Sequence, residues 1–106
     1  MEDIANQYFE YWNNQDLEGL RSLFSPNISL KDWEIEVVGA EQVIAANAAI
    51  FKNVPEVRAE ILQMGSGKDV VFAKLCIHLN EREKISVVDV LSFENGEIKT
   101  VHAFKC

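Results

Sequence analysis

Asp89 stands in the middle of Ile85-Ser-Val-Val-Asp-Val-Leu-Ser-Phe93, a run whose β-branched and aromatic residues read as a buried strand. An ionised carboxylate there is stripped of water, so it must be paired, strongly hydrogen-bonded or protonated. Strand alternation puts Ile85, Val87, Asp89, Leu91 and Phe93 on one face, which makes an apolar wall with a single polar handle. Tyr8 is a second polar tip in an apolar setting, because Ile4, Tyr8, Tyr11 and Trp12, with Ala5 and Phe9 beside them, recur at helical spacing. Its hydroxyl needs a partner if buried. His78 and His102 have no metal-ligand spacing with each other, and both are expected to be structural. Cys76 and Cys106 form no metal or redox motif, which leaves Cys76 as a small core hydrophobe. No metal and no organic cofactor is implied.

The elements that must hold these residues fall into two halves. Residues 2–14 form the first helix, and Asn13-Asn14-Gln15 breaks it. Asp16 caps a second helix with Leu17, Leu20, Leu23 and Phe24 as its stripe, stopped by Ser25-Pro26-Asn27. A short strand over Ile28–Trp33 follows, with Asp32 at its end. Gly39 precedes a third helix that turns Val43, Ile44, Ile50 and Phe51 inward and ends near Asn53, before Pro55; Asn47 falls inside that stripe. Strands are expected at 56–64, 69–79, 84–94 and 97–105, separated by Gly65-Ser66-Gly67, by residues 80–83 and by Asn95-Gly96. Asn-Gly between alternating runs makes the last two strands a hairpin. Helices first and strands afterwards give an α+β fold, a single domain over 1–106 with three N-terminal helices on a curved, mostly antiparallel sheet.

Composition narrows the partners. The 17 acids outnumber the 10 bases for a net charge of −7, and the bases are scattered singly, so nucleic acid is not an expected partner. No stretch approaches a membrane span and Met1-Glu2-Asp3 does not open like a secretory signal, so the expected location is the cytoplasm. Val88 and Val90 are apolar on the face opposite Asp89, where an exposed sheet would carry polar residues. A homodimer through the sheet is expected to cover them.

The stretches Tyr8-Phe-Glu-Tyr-Trp-Asn-Asn-Gln-Asp-Leu-Glu-Gly-Leu20, Leu23-Phe24, Leu30-Lys-Asp32, Val38-Gly-Ala-Glu-Gln-Val-Ile44 and Val88-Asp-Val-Leu-Ser-Phe-Glu-Asn-Gly-Glu-Ile98 together resemble the NTF2-like superfamily. That superfamily shares a cone-shaped (cystatin-like) α+β fold and includes nuclear transport factor 2, the ketosteroid isomerases and the SnoaL-like polyketide cyclases. The resemblance covers nearly the whole chain. To the ketosteroid isomerases it extends to three residues: Tyr8 stands where that family has its oxyanion-donating tyrosine, Asp32 where it has its general base, and Asp89 where it has its protonated aspartic acid. It therefore implies an isomerase-like proton transfer next to a carbonyl, on a small hydrophobic molecule and without a cofactor. Ketosteroid isomerase is itself the standard illustration of an acid kept neutral by an apolar site. The chemistry is coherent, since Tyr8 and a neutral Asp89 can both donate to one oxygen while Asp32, nearer solvent, stays ionised and takes the proton.

The chain departs from those isomerases in carrying Trp33 after the base and Asn47 in place of a supporting helix-3 tyrosine, and in being shorter. A smaller or differently shaped pocket follows, with Trp12, Trp33, Asn47, Phe51, Leu91, Val101 and Ala103 as its expected ligand-contacting walls. The competing reading is a non-catalytic dimeric module that binds a hydrophobic ligand or a protein partner. In that reading Asp89 is a structural acid, Asp32 a surface acid, and Tyr8 and Trp12 core aromatics.

Overall fold

Spacings of three and four residues link Ala5, Tyr8, Phe9 and Trp12, the buried face of α1 (Glu2–Asn13) in a computed structural model that describes residues 1–106. At the next helix the Asp16 carboxylate accepts a hydrogen bond from the Gly19 amide at 2.9 Å and caps α2 (Leu17–Leu23). Gly19 itself is dictated by packing. A Cβ there would lie 2.5 Å from the Tyr11 ring, so only glycine lets α2 fold back this closely on α1. The remaining elements are β1 (Phe24–Lys31), β2 (Glu36–Val38), α3 (Ala40–Asn53), β3 (Arg58–Gly67), β4 (Val70–His78), β5 (Lys84–Glu94) and β6 (Glu97–Lys105).

The six strands form one curved, unclosed sheet in the order β2-β1-β6-β5-β4-β3, antiparallel except where β1 runs parallel to β6. The β5–β6 hairpin turns on Asn95 and Gly96, both at positive φ (54° and 78°), the left-handed geometry for which Asn-Gly is suited. The inner face of the sheet packs against the helices in a single apolar cluster that includes Leu20, Ile28, Val71, Leu91 and Ile98, all fully enclosed. Asn13 ties the end of α1 to β3 by two hydrogen bonds with the Ala59 backbone, accepting from its amide and donating to its carbonyl. No helix is long and apolar enough to cross a membrane.

Several boundaries differ from the sequence expectation. The first strand starts at Phe24, not Ile28, because Phe24 pairs with Ile98; the irregular register between Phe24 and Ser29 accommodates Pro26, which has no amide to give to a ladder. It also ends at Lys31, leaving Asp32 and Trp33 in the connection to β2, a three-residue strand that the sequence pattern did not signal. Gly65-Ser66-Gly67 continues β3, paired with Phe72, Val71 and Val70, and the reversal falls on Lys68-Asp69, with Asp69 at φ 57°. Cys76 is half-buried on the outer face of the sheet and is not a core residue, since the inward positions of β4 are Val71, Ala73, Leu75 and Ile77.

Candidate functional site

Asp89 points inward from β5 between Ala73 of β4 and Ala103 of β6, its direct cross-strand neighbours. Ala73 is fully enclosed, whereas Ala103 borders open space that a larger residue would fill. A cavity of about 220 Å³ opens there between the inner face of the sheet and helices α1 and α3, and sixteen of its twenty lining residues are hydrophobic. Tyr8 and Trp12 enter from α1, Asn47 and Ile50 from α3, Leu75 and Ile77 from β4, Ile85, Val87 and Asp89 from β5, and Val101 and Ala103 from β6. Asp32, Trp33 and Glu34 line it from the β1–β2 connection.

Two of the enclosed polar groups, the Tyr8 hydroxyl and the Asp89 carboxyl, lack protein partners. Neither group makes a hydrogen bond to the rest of the protein, although the residues are only 4% and 8% exposed. No fully sealed side-chain polar atom in the molecule is left unpaired, so both groups must reach the accessible cavity. Burial raises the Asp89 pKa to about 7, with the negative charge of Asp32 adding to the effect. Burial also raises the Tyr8 hydroxyl well above the ordinary phenol range, and the Asp89 charge pushes the same way, so Tyr8 remains a hydrogen-bond donor at every physiological pH. Near neutrality Asp89 divides between a donor and an acceptor form.

Asp32 is held differently. Its Oδ1 accepts from the Glu34 and Ile35 amides at 2.7 and 2.8 Å, which shapes the loop after β1 and leaves Oδ2 without such a bond. Asn47 is engaged at both ends of its amide, where Oδ1 accepts from the Trp12 indole Nε1 at 3.0 Å and Nδ2 donates to the Val43 carbonyl. The polar residue in the apolar stripe of α3 thus fixes one aromatic wall. Trp33 is 45% exposed at the mouth, with the Lys105 ammonium 5.8 Å from its ring centre. The lining contains three acids, Asp32, Glu34 and Asp89, and no basic residue, so its electrostatics oppose an anionic ligand.

Of the residues singled out from the sequence, Tyr8, Asp32, Asp89, Trp12, Trp33, Asn47, Val101 and Ala103 line this one cavity. Phe51 and Leu91 do not. Phe51 packs edge-on against Trp12 at 5.3 Å, and Leu91 is fully enclosed one strand period further along β5 from Asp89. Sequence reasoning did not single out Phe9, Glu34, Val57 or the β4 side chains Leu75 and Ile77; the alternation of β4 carried the signal for the last two. His102 faces the outer side, paired with Val90 in register and stacked on Phe104 at 4.0 Å.

A helical layer over the inner face of a curved six-stranded sheet, with an apolar hollow between them, is the NTF2-like fold. The sequence profile of the SnoaL-like domain matches residues 5–101, and the chain belongs to that family. Solved structures agree in fold. An NTF2-like protein of unknown function from Cytophaga hutchinsonii superposes with a TM-score of 0.87 at 14% identity, over 99% of this chain and 88% of that one. A SnoaL-like protein of unknown function from Burkholderia thailandensis gives 0.88 at 17% identity, over 99% and 93%. A protein with a ketosteroid isomerase-like fold from Catenulispora acidiphila, solved in complex with trimethylamine, gives 0.82 at 17% identity, over 94% and 82%. No curated protein matches the chain in sequence.

Proposed function

We propose that the chain binds a small, uncharged, mostly apolar carbonyl compound in this cavity and moves a proton next to the carbonyl. The observation that carries the reading is the pair of unpartnered groups, the Tyr8 hydroxyl from the helices and the Asp89 carboxyl from the sheet, opening into one apolar hollow. With Asp89 protonated, both donate to the substrate oxygen and stabilise the enolate that forms. Asp32, at the rim, takes the proton through its free Oδ2 and returns it to another carbon. The cavity volume of about 220 Å³ lies below the roughly 300–1,000 Å³ of sites for drug-sized ligands, which favours a substrate much smaller than a steroid.

The test is hydrogen–deuterium exchange at the α-carbons of a panel of small ketones and enones, followed by NMR. Asp32→Asn should slow exchange by about 10²–10⁴-fold, as loss of a general base does. Tyr8→Phe should cost a comparable factor, about 10²–10³-fold, by removing one oxyanion donor. The rate should fall as pH rises through about 7, because Asp89 then loses the proton it donates. Ligand binding with no exchange, or exchange indifferent to all three changes, would reject the catalytic assignment.

One observation favours binding without turnover: Oδ1 of Asp32 is already committed to two loop amides, as in a structural acid. In that reading the same cavity holds an apolar ligand and the donors fix its orientation. A second copy of the chain is the proposed partner on the outer face, where Phe72 and Phe104 are 46% and 47% exposed beside the half-buried Val88 and Val90. Sedimentation at micromolar concentration should give a dimer that Phe72→Lys with Phe104→Lys converts to a monomer; a monomeric parent protein would remove the proposal. The proposed location is the cytoplasm.

A further inference from the structure

Glu60, Cys76 and His78 project from the face of the sheet that does not line the cavity. Glu60 lies directly opposite Cys76 in the β3–β4 ladder, and His78 follows Cys76 by two residues, so strand geometry gathers all three side chains on one side. Their donor atoms all lie within 4.8 Å of one another, and His78 Nε2 is 2.9 Å from Glu60 Oε1. The hydrogen bond between His78 and Glu60 explains two members of the group. It does not explain the half-buried free thiol of Cys76 beside them.

We propose that Glu60, Cys76 and His78 form a binding site for a divalent transition-metal cation of the zinc and cobalt class. One thiolate, one imidazole nitrogen and one carboxylate oxygen are the borderline-soft donor set such ions select, whereas magnesium and calcium require oxygen ligands. In a tetrahedral shell with bonds of about 2.0–2.3 Å, ligand atoms stand roughly 3.3–3.8 Å apart. Glu60 and His78 need only separate slightly, and Cys76 move in, for the three atoms to meet that spacing. Cys76 gives up its thiol proton on binding, His78 binds as neutral imidazole, and a water takes the fourth position.

The surroundings set the affinity. Arg58 and Lys84, opposite His78 in the two ladders, oppose a cation, while Glu56 and Glu81 line the shallow hollow beside His78 and favour one. The site is independent of the cavity and of any carbonyl chemistry there.

The experiment is a cobalt(II) titration of tag-free, chelator-treated full-length protein, read by near-ultraviolet thiolate-to-cobalt absorption. One equivalent should produce the band, zinc should abolish it by displacement, and magnesium should leave it unchanged. Cys106→Ser should retain it and Cys76→Ser should lose it. Glu60→Gln and His78→Asn should each weaken binding by at least the roughly tenfold that losing even a supporting group costs at a metal site. These two keep Cys76 intact and decide the matter if circular dichroism shows Cys76→Ser unfolded. Absence of a thiolate band, its survival in Cys76→Ser, or unchanged affinity in both Glu60→Gln and His78→Asn would overturn the site.

Discussion

Two positions one strand period apart on β5 show how the fold makes a core and a cavity from the same wall. Leu91 lies between Val71 and Val101 in the ladder and is fully enclosed; Asp89 lies between Ala73 and Ala103 and faces the hollow. The backbone, the direction of the side chain and the helical cover are shared. The difference is volume and polarity in one cross-strand row: Val71, Leu91 and Val101 are three branched aliphatic side chains, with Leu91 itself closed off, whereas Asp89 has the enclosed Ala73 on one side and, on the other, Ala103 bordering the open hollow. An acid therefore sits deep enough in apolar surroundings for its pKa to rise to about 7 while its oxygens remain accessible to a ligand.

The largest expected effect tests the polar half of that contrast. The Asp89 carboxyl titrates near 3.8 when unfolded and near 7 when folded, so the native state holds the proton more tightly. Below pH 3.8 both states are protonated and the residue costs nothing by linkage; as pH rises from 3.8 towards 7 the unfolded state gives up its proton first, so stability falls across that window and the full cost of the buried acid is reached above about 7. Asp89→Asn should accordingly be nearly neutral at pH 4 and stabilising by up to about 4 kcal/mol at pH 8. Urea denaturation at the two pH values measures it. Equal differences at both would mean that the carboxyl is not held in a desolvated setting.

The packed half comes next. Leu91→Ala should destabilise by about 3 kcal/mol, because it empties an enclosed site that neighbours cannot refill. Ile85→Ala, on the same face but half-buried at the cavity rim, should cost about 1 kcal/mol, since most of the removed surface already borders open space. Equal costs in thermal or urea denaturation would erase the distinction between the row that is filled and the row that is not.

Period-two alternation was enough to place Ile85, Val87, Asp89, Leu91 and Phe93 on one face, and helical spacing was enough for Tyr8 and Trp12, because those rules follow from backbone geometry alone. Depth along the face was not legible. Leu91 and Asp89 share a face in sequence, yet only the register that sets Val71 and Val101 against one and Ala73 and Ala103 against the other separates core from cavity, and register is a property of three strands at once. Phe51 escaped for the same reason, since its helix face was correct and its packing on Trp12 was not visible. Asp32 was legible as a residue at a strand end, but its bonds to the Glu34 and Ile35 amides depend on a loop closed by β2, a strand too short to leave a pattern.

The smallest expected change in stability gives the sharpest test of the alanine row. Ala103 borders both Asp89 and the hollow, so Ala103→Val adds two methyl groups to open volume and should alter stability by less than about 1 kcal/mol in either direction, burial offsetting minor crowding. Its effect belongs to the site. The added methyls displace water from the carboxyl, so the Asp89 pKa, followed by NMR, should move upward from about 7, and binding of any ligand that reaches Tyr8 and Asp89 should weaken. Ala73→Val, fully enclosed on the other side of the acid, has no such opening to fill and should instead destabilise through overpacking. If the two substitutions behave alike, the cavity is not shaped by the residue at 103; if they diverge, the alanine of β6 is what keeps the acid within reach of a ligand.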